Sequence, residues 1–322
     1  VGEFELIRRH FQRSSVVPPG HVVLGVGDDC ALLQPRPGFQ LAISSDMLVE
    51  GQHFFSDVDP HTLGHKALAV NLSDLAAMGA RPLGFTLALA LPRADDAWLH
   101  AFSAGLLALA DEHGCPLVGG DTTRGPLNIC ITVFGEISPG RALRRNAAQA
   151  GDDLWLSGRT GEARLALERL RQRDVAQGEP VDEALCRARL ERPTPRLSLG
   201  LALAGLAHAA IDLSDGLAGD LGHILSASGV GAEIDLDAMP VAPALRTLGE
   251  AQRLECLLRG GDDYELLFTA PNGTRDAINQ AGVASTTPVQ RIGRITAEQG
   301  LQLLLPDGQR LALQARSHDH FA

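Results

Sequence analysis

The sequence predicts a two-domain protein of mixed α/β (α+β) class. Three observations carry that prediction. The chain has 322 residues, more than one hydrophobic core usually serves. Stretches alternating with period two interleave, in both halves, with stretches of helical period. A polar segment at 138–151 holds Pro139, Gly140, Arg141, Arg144 and Arg145, lacks an apolar run, and separates the halves. The predicted domains are therefore 1–137 and 138–322.

In chain order, Val1 to Gln12 reads as a short amphipathic helix. Gln40 to Ser45 alternates, with Leu41 and Ile43 on one face and Ala42 and Ser44 on the other, and reads as a strand ending at Asp46. His61 to Ala80 reads as a helix that stops around Gly79, ahead of Pro82. Leu83 to Leu91 is apolar enough for a buried strand, and Asp95 to His113 is helical with Gly114 as its stop. Pro116 to Val118 and Leu127 to Ile137 read as strands flanking a polar, glycine-rich turn. In the second half, Asp153 to Leu156 is a strand, Gly161 to Arg173 a helix, and 174–180 a polar connection. Pro193 and Pro195 precede a helix at Arg196 to Ala207, a strand at Ala209 to Leu213 and a helix at Gly216 to Ser228. Tyr264 to Thr269 and Val289 to Ile295 are strands, and Leu301 to Leu305 with Arg310 to Leu313 form a closing hairpin around Asp307-Gly308.

Composition narrows the function. Hydrophobic residues at 45% and charged residues at 21% exclude long disorder. A net charge of −11 repels nucleic-acid backbones and anionic membranes, so neither is an expected partner, and bound metal can neutralise part of it. Cys30, Cys115, Cys130, Cys186 and Cys256 form no C-x-x-C pair. They predict neither a zinc site nor a redox motif and fit buried thiols in a reducing, cytoplasmic setting. No apolar run approaches the ~20 residues needed to span a bilayer, and 1–13 does not read as a signal peptide.

The chemistry gathers where carboxylates stand beside glycine. Four such segments are Gly25-Val-Gly-Asp-Asp29, Ser44-Ser-Asp46, Gly119-Gly-Asp-Thr-Thr-Arg124 and Gly260-Gly-Asp-Asp-Tyr-Glu265. Asp212-Leu-Ser-Asp-Gly216 is a fifth. Aspartate places a hard oxygen close to the backbone, and Mg²⁺ commonly joins one or two carboxylates to substrate phosphates. A nucleotide and a carboxylate cluster repel unless cations lie between them. Taken singly, Ser214 or Asp215 also reads as a helix cap, and Asp28-Asp29 or Asp262-Asp263 as turn residues. Asp74 differs. It is the only charged residue from Ala67 to Ala80, and its helical neighbours are Val70, Asn71, Ala77 and Met78. A carboxylate on that face calls for a metal ion or a basic partner. No G-x-x-x-x-G-K-[ST] loop occurs, Gly25-Val-Gly27 lacks the third glycine of a dinucleotide fingerprint, and no H-R-D loop is present.

In these motifs the chain resembles the bacterial thiamine-monophosphate kinase family. That family belongs to a superfamily with aminoimidazole ribonucleotide synthetase, selenophosphate synthetase and a hydrogenase-maturation protein. The resemblance rests on Val26-Gly-Asp-Asp-Cys-Ala-Leu-Leu33, the run Lys66 to Ala80, Gly119 to Gly125, Ile211-Asp-Leu-Ser-Asp-Gly216 and Gly260-Gly-Asp-Asp-Tyr-Glu-Leu266. It implies the two-domain aminoimidazole ribonucleotide synthetase-like fold, with the N-terminal sheet contributing to a barrel shared in a homodimer. It implies ATP-dependent phosphorylation of thiamine monophosphate, with several Mg²⁺ ions and ATP as co-substrate. By the same resemblance, Asp29, Ser44, Ser45, Asp46, Asp74, Asp121, Asp212 and Asp215 match metal positions. Of these, Asp46, Asp74, Asp121 and Asp212 act in catalysis through the metal. Gly120, Asp121, Arg145 and Ser214 match ATP positions, and His53, Asp262 and Phe321 match substrate positions. The family often has Glu where Asp262 stands and Thr where Ser45 stands. Two alternatives stay open on the residues alone: a sibling ATP-dependent synthetase that activates an amide or formyl oxygen, and a catalytically silent nucleotide-binding sensor.

Overall fold

The structure is a computed structural model that describes residues 3–12, 19–171 and 183–315. It divides into two compact units, 1–75 with 80–140, and 76–79 with 141–322. The predicted connection at 174–180 lies outside the described residues.

In the first unit, α1 (Glu3–His10) precedes a short hairpin of β1 (Val22–Leu24) and β2 (Leu32–Leu33). Then come β3 (Gln40–Val49), α2 (Pro60–Met78), β4 (Arg81–Leu91), α3 (Asp96–Glu112), β5 (Leu117–Arg124) and β6 (Asn128–Ile137). The sheet is open, with strand order β3-β6-β4-β5. β4 is central and apolar, and Leu83, Phe85 and Leu89 are at most 1% exposed. Helix α2 ends as the sequence demands. Gly79 takes a φ of 70°, and the N–H groups of Gly79 and Ala80 bond the carbonyls of Ala76 and Leu75, the pattern of a left-handed C-terminal cap. Asp95 caps α3, accepting from the Trp98 N–H.

Two predicted turns prove to be strand. β3 does not end at Asp46 but runs to Val49, paired with β6 from Gln40↔Ile137 to Val49↔Asn128. Its polar middle is tolerated because β3 is an edge strand, and the Asp46 N–H finds the Asn71 side chain instead of another strand. Gly119 to Arg124 likewise forms most of β5, parallel to β4. As an edge strand it buries only part of itself, so its polarity disguised it.

In the second unit, Arg145–Ala147 form one 3₁₀ turn. The remaining elements are β7 (Asp153–Ser157), α4 (Glu162–Arg171), α5 (Glu183–Glu191), α6 (Leu197–Leu203), β8 (Ala209–Asp212), α7 (Leu217–Ser228), β9 (Gly231–Asp235), α8 (Pro243–Arg246), α9 (Glu250–Arg259), β10 (Leu266–Ala270), α10 (Arg275–Ala284), β11 (Val289–Thr296), β12 (Gly300–Leu304) and β13 (Arg310–Leu313). The seven-stranded sheet runs β13-β12-β9-β11-β7-β10-β8, antiparallel except where β12 pairs with β9. Its core joins Leu154, Leu156, Ile211 and Leu267 of the sheet to Leu217, Leu221 and Leu257 of α7 and α9. The predicted closing hairpin is β12 with β13, in register from Leu301↔Leu313. The mixed α/β class of both halves holds. Helix α6 is shorter than expected, ending at Leu203 ahead of Gly205 at φ 93°. β10 starts at Leu266, because Asp262 and Tyr264 have positive φ and cannot extend a strand.

Candidate active site

The predicted site residues fall into three groups, two in the first unit and one in the second. The first group comes from strand alternation meeting a helix face. Ala42, Ser44, Asp46 and Leu48 share one face of β3, while Leu41, Ile43, Ser45 and Met47 share the other. Asn71 and Asp74 lie three residues apart on α2 and meet the first of these faces. The Ser44 hydroxyl donates to the Asp74 carboxylate. The Asp46 N–H donates to Asn71 Oδ1 at 3.0 Å, and Asn71 Nδ2 donates to the Ala67 carbonyl at 3.0 Å. Burial, and then the nearby Asp74 charge, push the Asp46 carboxyl up from 3.8 to about 6. Two carboxylates are thus held close enough to oppose each other's ionisation.

The alternation also places Ser45 apart from this group. Its hydroxyl donates to the Ile131 carbonyl at 3.1 Å and lies 3.0 Å from Thr132 Oγ1, on the opposite face of the sheet. His53 follows β3, and its Nδ1 accepts the Val49 N–H at 3.0 Å. In the neutral ring the proton then resides on Nε2.

The second group lines a cavity of about 930 Å³. Asp28, Asp29, Gly120 and Asp121 lie on its acidic side, and Ile43 and Phe134 supply apolar lining. The Asp29 N–H bonds the Asp28 carboxylate at 2.8 Å. Gly120 has a φ of 146°, and a Cβ there would stand 1.9 Å from the Leu87 carbonyl oxygen. Only glycine lets β5 approach β4 so closely at this point.

The third group is built from two loops of the second unit. Asp212 ends β8 and is 5% exposed. Ser214 and Asp215 follow, ahead of α7. The helix-cap reading of these two does not hold. Gly216 takes the cap position without a side-chain bond, and the N–H groups of Asp215 and Gly216 each donate to Asp220 Oδ2 at 3.1 Å. Burial pushes the Asp220 carboxyl up to about 7. The two N–H donors and Arg145 pull it down, and Asp215 pushes it up. Arg145 is thereby placed near the Ser214-Asp215 loop. The second loop carries Asp262, whose N–H donates to the Ser214 carbonyl at 2.9 Å. Between the loops there is no space for a side chain at Gly261, where a Cβ would lie 2.4 Å from the Ser214 oxygen.

Not every acid of Gly260–Glu265 faces outward. Asp263 is buried, accepts the Gly161 N–H at 3.0 and 3.2 Å, and has its pKa raised well above the usual range by burial. Glu265 is buried among arginines. Phe321 lies outside the described residues. Asn71, Asp220 and Glu265 were not singled out from the sequence. Asp220 had a signal, since a carboxylate in the first turn of a helix commonly reaches back to the N–H groups ahead of it. The arginines around Glu265 had none, because they come from a separate helix and its following proline-rich loop.

The donors in these groups are hard oxygens, which suits Mg²⁺ and not a soft metal. Among the described residues, no three His, Cys, Asp or Glu side chains converge as a ready metal cage. A cation here would take one or two carboxylates from a group and complete its shell from phosphates and water, the usual habit of Mg²⁺.

Comparison with known proteins defines the class. Residues 27–137 match the family described as AIR synthase related protein, N-terminal domain, and residues 149–305 match its C-terminal domain. The chain is an AIR synthase-related protein in both halves. A thiamine-monophosphate kinase of Salmonella typhimurium is 47% identical over 100% of this chain and 98% of its own. The crystal structure of thiamine-monophosphate kinase from Stenotrophomonas maltophilia K279a is 49% identical, with a TM-score of 0.84 over 90% of this chain and 92% of that one. AaThiL complexed with AMPPCP and TMP is 29% identical, with a TM-score of 0.75 over 86% and 87%. This chain belongs to the thiamine-monophosphate kinase family.

Proposed function

We propose that the protein transfers the γ-phosphoryl group of ATP to thiamine monophosphate, giving thiamine diphosphate and ADP. The carrying observation is end-to-end similarity at 47% identity to relatives named for that activity. A structural relative complexed with AMPPCP and TMP supports it. The acceptor is a phosphate monoester with a second pKa near ~6, so its oxygen is already ionised at neutral pH. That oxygen attacks the γ-phosphorus in line as the bond to the ADP oxygen breaks. No proton has to be removed, so no general base is needed.

What the chain must supply is position and charge balance. Asp29, Asp46, Asp74, Asp121, Asp212 and Asp215, with the Ser44 hydroxyl, are the residues we assign to Mg²⁺. The ion would neutralise the crowded phosphates and polarise the transferring group when bound. The mutual repulsion of Asp46 and Asp74 favours this assignment, because a divalent cation relieves it. Ser45, which the resemblance also matches to a metal position, is left out of this set because its hydroxyl is on the other face of β3. We assign Gly120, Asp121, Arg145 and Ser214 to ATP, with Gly120 letting phosphates approach the main chain. His53, Asp262 and Phe321 are assigned to thiamine monophosphate. Residues 1–137 would then form the domain that carries Asp29, Ser44, Asp46, Asp74, Asp121 and the dimer contact, and 138–322 the domain that carries Asp212 and Asp215.

A homodimer is part of the same reading. Leu41, Ile43 and Met47 are 53%, 60% and 52% exposed in one row on edge strand β3, an apolar face suited to a second sheet. No described helix is long and apolar enough to cross a membrane. All five cysteines are free; Cys115, Cys186 and Cys256 are buried as expected, whereas Cys30 is exposed and Cys130 half-buried, and we place the reaction in the reducing cytoplasm. ADP release in the presence of Mg-ATP, measured with and without thiamine monophosphate, tests the function. Strict dependence on the acceptor is expected. Acceptor-independent ADP release, or none at all, would overturn the assignment.

A further inference from the structure

Glu265 is a fully buried acid, 0% exposed, in the loop that presents Asp262. Its carboxylate accepts four hydrogen bonds. They come from Ser157 Oγ at 2.6 Å, Arg196 Nε at 2.7 Å, Arg196 Nη2 at 2.5 Å and Arg189 Nη2 at 2.5 Å. Ser157 Oγ in turn accepts the Leu266 N–H at 2.8 Å, locking the start of β10. Burial alone would raise the carboxyl, but Arg196 and Arg189, with the Ser157 hydroxyl, hold it below its ordinary value, so it is ionised. Two guanidiniums around one buried carboxylate fix it in place with little freedom of motion.

The main chain carries this rigidity to the site. The Glu265 carbonyl accepts the Leu213 N–H at 2.9 Å, the Tyr264 N–H donates to the Leu213 carbonyl at 2.8 Å, and the Asp262 N–H donates to the Ser214 carbonyl at 2.9 Å. Between these bonds, Asp262 and Tyr264 hold φ values of 63° and 49°. Non-glycine residues keep such angles only where their surroundings over-determine them. Two fixed points flank them: the Asp263 carboxylate on the Gly161 N–H, and the clamp on Glu265, which holds the end of the turn next to β10.

We propose that Glu265 is a positioning residue: its buried cluster with Arg189, Arg196 and Ser157 fixes the Asp262–Tyr264 turn against the Ser214 loop, and so sets the acceptor relative to the nucleotide. This rests on the assignment of Asp262 and Ser214 given above. A purely structural role would lower the melting temperature and leave the kinetic constants of the folded protein unchanged.

The test is Glu265→Gln in the full chain, assayed by ADP release with Mg-ATP and thiamine monophosphate, well below the variant's own melting temperature. The expected result is a rise of about tenfold or more in KM for thiamine monophosphate, with kcat reduced by a similar factor. Ser157→Ala keeps both guanidiniums of the clamp, removes the hydroxyl's bond to the Glu265 carboxylate and its acceptance of the Leu266 N–H, and is expected to raise that KM about threefold. Wild-type constants in folded Glu265→Gln overturn the proposal. If that variant does not fold, wild-type constants in Ser157→Ala overturn it. Absence of acceptor-dependent ADP release in the wild-type protein would instead refute the phosphotransfer reading itself.

Discussion

Replacing Asp46 by Asn should separate stability from activity in opposite directions. The Asp46 carboxyl is pushed up from 3.8 to about 6 by burial and by the charge of Asp74. At 1.36 kcal/mol per pH unit, holding it ionised costs the metal-free fold about 3 kcal/mol. Water reaching this half-buried position reduces that to about 1–2 kcal/mol. The sign follows from proton uptake. Between pH 3.8 and about 6 the folded state binds more protons at Asp46 than the unfolded chain does, so this contribution erodes stability as pH rises through that window and stays unfavourable above it. Asp46→Asn removes the charge and its repulsion with Asp74. With EDTA at pH 8, the variant should therefore unfold at higher denaturant concentration than the wild type, and the difference should vanish near pH 4. Added Mg²⁺ should stabilise the wild type and leave the variant nearly unmoved. Turnover should meanwhile fall by about two orders of magnitude or more, as expected when a charge balancing the transferring phosphates is lost. Chemical denaturation across pH, with and without Mg²⁺, reads the first part, and steady-state kinetics the second. A variant less stable than wild type in EDTA at pH 8, or equally stabilised by Mg²⁺, would refute the idea that this pair is built around a cation.

Three other perturbations test separate parts of the site. Gly120→Ala places a methyl against the Leu87 carbonyl, so β5 must move away from β4. Binding of a fluorescent ATP analogue should weaken by about tenfold or more, and unchanged affinity would remove Gly120 from the nucleotide site. Arg145→Met should raise KM for ATP about tenfold with a smaller effect on kcat, as loss of one phosphate-facing charge predicts. A change confined to the acceptor KM would contradict its assignment. Ile43→Arg puts a charge in the exposed apolar row of β3. Sedimentation velocity should show a dimer for the wild type and a monomer for the variant, and identical species would locate the interface elsewhere.

The sequence displayed the chemistry more clearly than the elements that carry it. Asp74 stood out because an otherwise uncharged helical run surrounds it, and the structure puts it against Ser44 and near Asp46. The Asp212 to Gly216 and Gly260 to Glu265 loops could be read separately, but not the bonds that join them, since those are main-chain contacts between segments some fifty residues apart. Polarity misled at 119–124 and 44–46, where short polar runs looked like turns and proved to be edge strands. The opposite orientation of Ser44 and Ser45 was legible in the strand alternation itself, and it sets Ser45 apart from the metal position that the resemblance gives it. In the second unit β9, α5, α8, α9 and α10 went unread; α5 and α9 each bury an apolar stripe, but it is short and broken by charged residues. Glu265 read as one more acid of a carboxylate-rich turn, and only its distant partners make it a buried anchor.

In the proposed reaction, cations hold two sets of phosphates together while one phosphoryl group crosses between them. The most direct measurement follows the γ-phosphorus itself, using ATP labelled at that position and thiamine monophosphate as acceptor. With Mg²⁺ present, label should appear in thiamine diphosphate, one equivalent for each ADP formed, and with EDTA it should remain in ATP. Label released as inorganic phosphate without thiamine diphosphate, or transfer that proceeds unchanged in EDTA, would contradict it.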